Sequence, residues 1–150
     1  MAVANSVCAT QGGVSHVQGT FLGFGERTGN ANLSAVIPTL QLKRGLSCIP
    51  EERMHTLTAT AMRIAEIANI TLHKNMPFVG RSAFAHKAGM HADGVLKNER
   101  SFEHIDPTLV GNHRRFLMSE MTGKSAVLRR VQKIYPEILF HKISANAFSI

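Results

Sequence analysis

Tryptophan is absent from the 150 residues and tyrosine occurs once, so aromatic platforms for stacked bases are scarce. Cysteine occurs only at Cys8 and Cys48. The two are far apart and match no metal-ligand or redox spacing, so they read as free thiols rather than a disulfide. No apolar run approaches the ~18 residues of a membrane span. The opening Met1-Ala-Val-Ala-Asn-Ser carries no basic n-region and no cleavage pattern, which leads us to expect no signal peptide and a cytoplasmic protein. Internal repeats and low-complexity stretches are missing as well.

What remains is an ordinary globular composition. Apolar residues make up 44% and charged residues 18%, enough for one domain with a core. The net charge is +7, which draws anions, either nucleic acid or a phosphorylated cofactor. The basic residues are dispersed apart from short pairs such as Arg114-Arg115 and Arg129-Arg130, and no Phe lies in an RNA-binding signature. We therefore expect no nucleic acid and no membrane among the partners.

Residues 1–11, with Val3 and Val7 four apart, predict a helix ended by Gly12-Gly13. Residues 16–22 are β-branched and aromatic and predict a short strand. A glycine-rich turn follows, and Asn30 or Asn32 can cap a helix running to about Lys43, kinked at Pro38 and closed by Gly45. This order belongs to an α/β barrel or a doubly wound sheet. Beyond Pro50, Met54, Leu57, Ala61, Ile64 and Ala68 form one apolar stripe on a second helix. Residues 74–85 read as a linker, 86–97 as a broken helix, and 98–113 as loop around Asp106-Pro107. Phe116-Leu-Met reads as a short strand or turn, and Gly123 to Tyr135 as a last helix. One strand among helices leaves its edges unpaired, so a sheet needs further strands.

Three segments could carry chemistry. In Gly23-Phe-Gly25-Glu26-Arg27-Thr28-Gly29-Asn30-Ala31-Asn32, a carboxylate and an amide are presented together after a strand end. Their oxygens suit a divalent ion, although such a segment is more commonly a turn plus a helix cap. Its glycine spacing matches neither a dinucleotide fingerprint nor a P-loop. In Phe84-Ala85-His86-Lys87-Ala88-Gly89-Met90-His91-Ala92-Asp93-Gly94, a carboxylate follows His91 by two residues, a usable proton-transfer pair. Its two histidines are five apart and so do not share a helical face; ordinary surface histidines are the plainer reading. Ser101-Phe-Glu-His-Ile-Asp-Pro-Thr-Leu-Val-Gly-Asn112 is either structural or, with Arg114 and Arg115, a phosphate-holding loop.

Gly-Glu-Arg-Thr-Gly-Asn-Ala-Asn-Leu, Ala-Phe-Ala-His-Lys-Ala-Gly-Met-His-Ala-Asp-Gly-Val and Phe-Glu-His-Ile-Asp-Pro-Thr-Leu-Val-Gly-Asn stand in one order and spacing. In this the chain resembles the isopropylmalate/citramalate/homocitrate synthase family over roughly residues 1–138. Val-Gln-Gly-Thr-Phe-Leu-Gly-Phe-Gly and Gln-Leu-Lys-Arg-Gly look most like the bacterial citramalate synthases.

The resemblance implies an acyltransferase that joins acetyl-CoA to a 2-oxo acid by Claisen condensation and hydrolyses the thioester. Pyruvate would give citramalate, for isoleucine; 2-oxoisovalerate would give isopropylmalate, for leucine; 2-oxoglutarate would give homocitrate. It also implies a divalent metal (Mg, Mn or Zn) in a TIM barrel and a homodimer in which helical linker regions cover the neighbouring active site. Asn30 matches the position near the metal and Glu26 the adjacent carboxylate, counted as catalytic. His91 matches an acid/base histidine, with Asp93 nearby as its catalytic companion. Asn98 and Phe102 match the segment that contacts acetyl-CoA. Many relatives carry Tyr where Phe102 stands, so this position lacks the hydroxyl a catalytic role would use, and Leu22 replaces a family Asn.

The fold class expected is an α/β fragment: the last strand and helices of a TIM barrel, followed by a mostly helical linker subdomain. Residues 1–46 are read as the barrel piece, 47–138 as linker subdomains and 139–150 as a divergent tail. The family's His-x-His metal pair belongs just before Met1, and its first-strand Asp and Arg lie far upstream. A gene fragment or truncated reading frame, inactive alone, is therefore expected. The alternatives are a non-catalytic interaction module docking on a partner barrel, which an upstream frame encoding that barrel would favour, and a basic nucleic-acid binder, which steeply salt-dependent binding would favour.

Overall fold

The computed structural model describes residues 1–87, 94–95, 97–117, 131 and 134–135. Most of the expected broken helix over 86–97, the last helix from Gly123 and the tail over 139–150 lie outside them. The chain divides into two compact units: one of Met1–Ala85 with His104–Arg115, the other of His86–Glu103 with the chain from Phe116 onward.

The first unit opens with α1, Ala2–Gln11, ended as expected at Gly12, whose amide donates to the Cys8 carbonyl at 3.2 Å. The strand expected over 16–22 is not formed. Only Thr20 pairs, through an isolated parallel bridge to Asn32, and Phe21–Gly23 turns into a 3-10 helix. A strand satisfies its backbone only against a neighbour, and among the described residues Asn32 alone offers one.

Asn32, rather than Asn30, is the cap of α2, Leu33–Pro38: its side-chain oxygen accepts from the Ser34 amide at 2.9 Å. Proline lacks the donor that would continue the ladder, and at Pro38 the helix widens into a π turn over Thr39–Lys43. Gly45, at φ +68°, then lets the Leu46 amide close on the Leu40 carbonyl at 3.0 Å.

The second helical stretch begins as a 3-10 turn over Glu51–Thr56 and becomes α3, Leu57–Ile67. Its buried stripe is Met54, Leu57, Ala61 and Ala65; Ala68 lies past the helix end and is exposed. Residues 74–85, read as a linker, are turns that carry core. Phe78, Val79 and Phe84 are buried with Ala35, Met54, Leu57, Ala61 and Val110. The segment has no period because its turns are irregular, yet its large apolar side chains still leave water.

Around Asp106-Pro107 the loop folds into a 3-10 helix over Pro107–Val110, with Gly111 left-handed at its end. It is held by Thr58 Oγ1 donating to the Val110 carbonyl at 2.6 Å. Asn112 Nδ2 donates to the carbonyls of Phe78 and Gly80 at 2.9 and 3.1 Å, which ties the 74–85 turns to this segment.

Asp106 Oδ1 accepts from the Thr108 amide at 2.9 Å and hydroxyl at 2.7 Å. The amide bond first, then the hydroxyl bond, hold its carboxyl below the usual carboxylate range. A depressed folded value stabilises the fold above the unfolded value, about 3.9, and that contribution is lost as pH falls through the folded value. Asp106→Ala is therefore expected to cost about 1 kcal/mol at neutral pH, as loss of a cap does, and less as pH falls below about 4. Denaturant titrations at several pH values check this; a cost independent of pH would contradict it.

Two short strands, β1 (Ala85–His86) and β2 (Arg115–Phe116), pair in parallel. The Arg115 amide donates to Phe84 within the first unit at 3.0 Å, and the Leu117 amide donates to His86 within the second at 2.9 Å. No helix among the described residues is long and apolar enough to cross a membrane.

Candidate functional site

The glycine-rich segment of the first unit is a loop sealed on itself. The Asn30 amide nitrogen donates to the Gly23 carbonyl at 3.0 Å, and its Nδ2 donates to the Phe24 carbonyl at 2.6 Å, which also accepts from Thr20 Oγ1 at 2.6 Å. Gly29 sits at φ +82°, and a Cβ there would press on the Gly23 carbonyl. Only glycine meets both conditions at low cost. Leu22, where the resemblance leads one to expect Asn, lies at φ 61° and ψ 2°. That left-handed conformation suits Asn and costs a leucine about 1–2 kcal/mol. Packing against the core and a 3.4 Å bond from its amide to buried Ser34 Oγ help to hold it there.

With Nδ2 fixed on Phe24, Asn30 has a set amide orientation and an oxygen of the hard type that divalent ions favour. It lines a groove of about 630 Å³ with Asn32, Thr39 and small and apolar residues of α1. Asn30 thus fits a metal as one ligand. Among the described residues no three His, Cys, Asp or Glu side chains gather as a metal set. Glu26 is 84% exposed and paired with Arg27 at 2.9 Å, displayed at the tip of the turn. Asn30 and Glu26 belong to one loop, the first bonded to the Phe24 carbonyl and the second to Arg27.

The second unit holds the acetyl-CoA-side candidates. Asn98 caps a 3-10 turn over Glu99–Ser101, its Oδ1 accepting from the Arg100 amide at 3.1 Å. Phe102 follows the turn with its ring half exposed, and a Cβ on Gly94 would lie 2.6 Å from Phe102 Cε2. The missing side chain at Gly94 is thus the space the ring occupies. His91 and Asp93 lie outside the described residues.

The motifs do not reveal a buried ion pair between two of them. His86 Nε2 lies 2.9 Å from Glu103 Oε1, with the side chains only 9% and 3% exposed. His86 is one of the two histidines of the second motif, and Glu103 lies in the third. The available signal was the flanking Phe84 and Phe102, but 17 residues of separation hide a pair from any periodicity.

The HMGL-like family pattern matches residues 1–70, and the pattern described as homocitrate synthase post-HMGL domain-like matches residues 78–145. The chain is 51% identical over 137 residues to an (R)-citramalate synthase of Aquifex aeolicus, covering 91% of this chain and 26% of that protein. To the (R)-citramalate synthase of Sulfolobus acidocaldarius it is 48% identical over 134 residues, 89% of this chain and 26% of that one. To a 2-isopropylmalate synthase of Bacillus anthracis it is 36% identical over 136 residues, 89% and 27% respectively. The chain spans about a quarter of the length of these relatives.

Proposed function

We propose that the chain belongs to the 2-isopropylmalate, citramalate and homocitrate synthase family, whose patterns and relatives it resembles, and that it serves the condensation of acetyl-CoA with pyruvate to give citramalate. The observation that carries the choice of pyruvate is 51% identity to an (R)-citramalate synthase, against 36% to a 2-isopropylmalate synthase. The latter relation keeps 2-oxoisovalerate as the second reading.

The chemistry needs a proton taken from the acetyl methyl, attack of the resulting carbon on the oxo-acid ketone, and hydrolysis of the thioester. We assign His91, with Asp93 beside it, to proton transfer. Asn98 and Phe102 form the acetyl-CoA side, Phe102 by ring contact alone since it has no hydroxyl. Asn30 Oδ1 serves as one metal ligand and Glu26 as the neighbouring carboxylate. A bound Mg, Mn or Zn ion would polarise the ketone.

In this reading residues 1–46 are the last strand and helices of a TIM barrel, 47–138 are linker subdomains that cover the site of a second subunit in a homodimer, and 139–150 are a divergent tail. The reaction is cytoplasmic. In this reading the chain by itself does not turn over.

A chimera tests the reading: the matching 137 residues of the Aquifex aeolicus enzyme are replaced by this chain's, and CoA release from acetyl-CoA is followed with a thiol reagent. The expected result is pyruvate-dependent release within about tenfold of the parent, a difference of about 1.4 kcal/mol in barrel-to-linker fit. A folded chimera without turnover would overturn the assignment, as would pyruvate-dependent turnover by the chain alone for the division of labour.

A further inference from the structure

Helix α3 has two faces. Leu57, Ala61 and Ala65 turn one of them into the core. On the other side stand Met62, Arg63, Glu66 and Ile67, three and four residues apart and so neighbours on one stripe. Met62 is 52% and Ile67 73% exposed. Between them Arg63 Nη1 meets Glu66 Oε2 at 2.7 Å, with the side chains 68% and 70% exposed. The helix stops just beyond, where Asn69 turns left-handed at φ 52° and the Ile70 amide donates to the Ala65 carbonyl at 2.9 Å. The outer face thus carries an opposite-charge pair flanked by a large apolar side chain towards either end.

This pattern is complementary to itself. An isologous contact brings the same patch together from two copies, so each residue must find its match within that patch. When two α3 helices lie antiparallel with the two-fold axis crossing between Ile64 and Ala65, Arg63 comes level with Glu66 of the partner subunit. Met62 comes level with the partner subunit's Ile67, and the reverse holds across the axis. The two in-helix ion pairs become a ring of alternating charges, and the flanking apolar side chains leave water. A parallel arrangement would set Arg63 level with Arg63 and Glu66 level with Glu66, which like-charge repulsion opposes. Charge therefore selects one orientation and one register.

We propose that the outer face of α3 is a self-association surface whose occupant is the antiparallel α3 of a second copy of this chain. One face of an 11-residue helix presents less than the ~800 Å² per partner of a standard interface. The association is therefore weak and reversible, with a Kd on the order of tens of micromolar. The pairing needs only α3, and is independent of the reaction proposed above and of how the linker subdomains cover a second subunit there.

Sedimentation equilibrium of the full chain, from about 5 to about 500 µM so as to bracket that Kd, tests the pairing with Arg63→Glu and Glu66→Arg. Both side chains are exposed, so each variant is expected to fold, and circular dichroism checks that it does. The unaltered chain is expected to pass from monomer to dimer across the range. Each single variant is expected to weaken self-association about tenfold or more, because like charges then face one another. An equimolar mixture of the two single variants is expected to restore it, since the acidic face of one meets the basic face of the other, and so is the double exchange of both residues in one chain. A chain monomeric throughout would overturn the pairing. So would single variants that dimerise as tightly as the unaltered chain, because the contact would then lie on another surface, and so would a mixture no tighter than its components. A chimera without turnover leaves the pairing standing, and a monomeric chain leaves the reaction standing.

Discussion

Gly111→Ala is expected to be the most damaging small substitution in the first unit, costing about 3 kcal/mol. Gly111 sits at φ +68°, and a Cβ there would press on the His55 carbonyl. The left-handed backbone alone costs an alanine about 1–2 kcal/mol. Forcing the contact open adds about 1–3 kcal/mol, as overpacking does in any dense interior. The strain lands on the short helix over Pro107–Val110, whose Val110 is fully buried and whose carbonyl accepts from buried Thr58. That helix and the Glu51–Thr56 turn would have to separate. A total of about 3 kcal/mol is a large share of the ~5–15 kcal/mol that holds a domain together. Guanidinium titration of the two chains measures it. A difference below about 1 kcal/mol, smaller than the backbone cost by itself, would contradict the close approach.

His91→Gln is the second large effect, on rate rather than stability. If His91 moves the proton in the condensation, its loss in the Aquifex chimera should lower kcat by about 10²–10⁴-fold. The KM for acetyl-CoA should change little, because a group that acts in the transition state contributes little to ground-state binding. Phe102→Tyr in the same chimera supplies the hydroxyl that the family resemblance leads one to expect there. A kcat for His91→Gln within threefold of the chimera would remove His91 from the proton-transfer role.

The parts of the fold legible from residues alone are those set by local rules. Gly12 ends α1, Asn32 caps α2, Pro38 disturbs it, and Met54, Leu57 and Ala61 share one buried face. Each follows from a property of one residue or one spacing. The strand expected over 16–22 depended on a neighbour, and only the Thr20–Asn32 bridge forms. The turns over 74–85 looked like a linker because burial of Phe78, Val79 and Phe84 is decided by distant Met54, Leu57 and Val110. The site divides the same way. The resemblance names Asn30, Asn98 and Phe102 as candidates, but the exposure of Glu26 and the union of His86 with Glu103 are tertiary facts that no local pattern encodes.

The most direct test of the central claim is calorimetric titration of the folded chain with acetyl-CoA. The account predicts saturable binding with one site per chain, weakened in a variant lacking the Asn98 and Phe102 side chains. Absence of binding by folded protein would contradict the claim that this chain carries the acetyl-CoA side of the condensation.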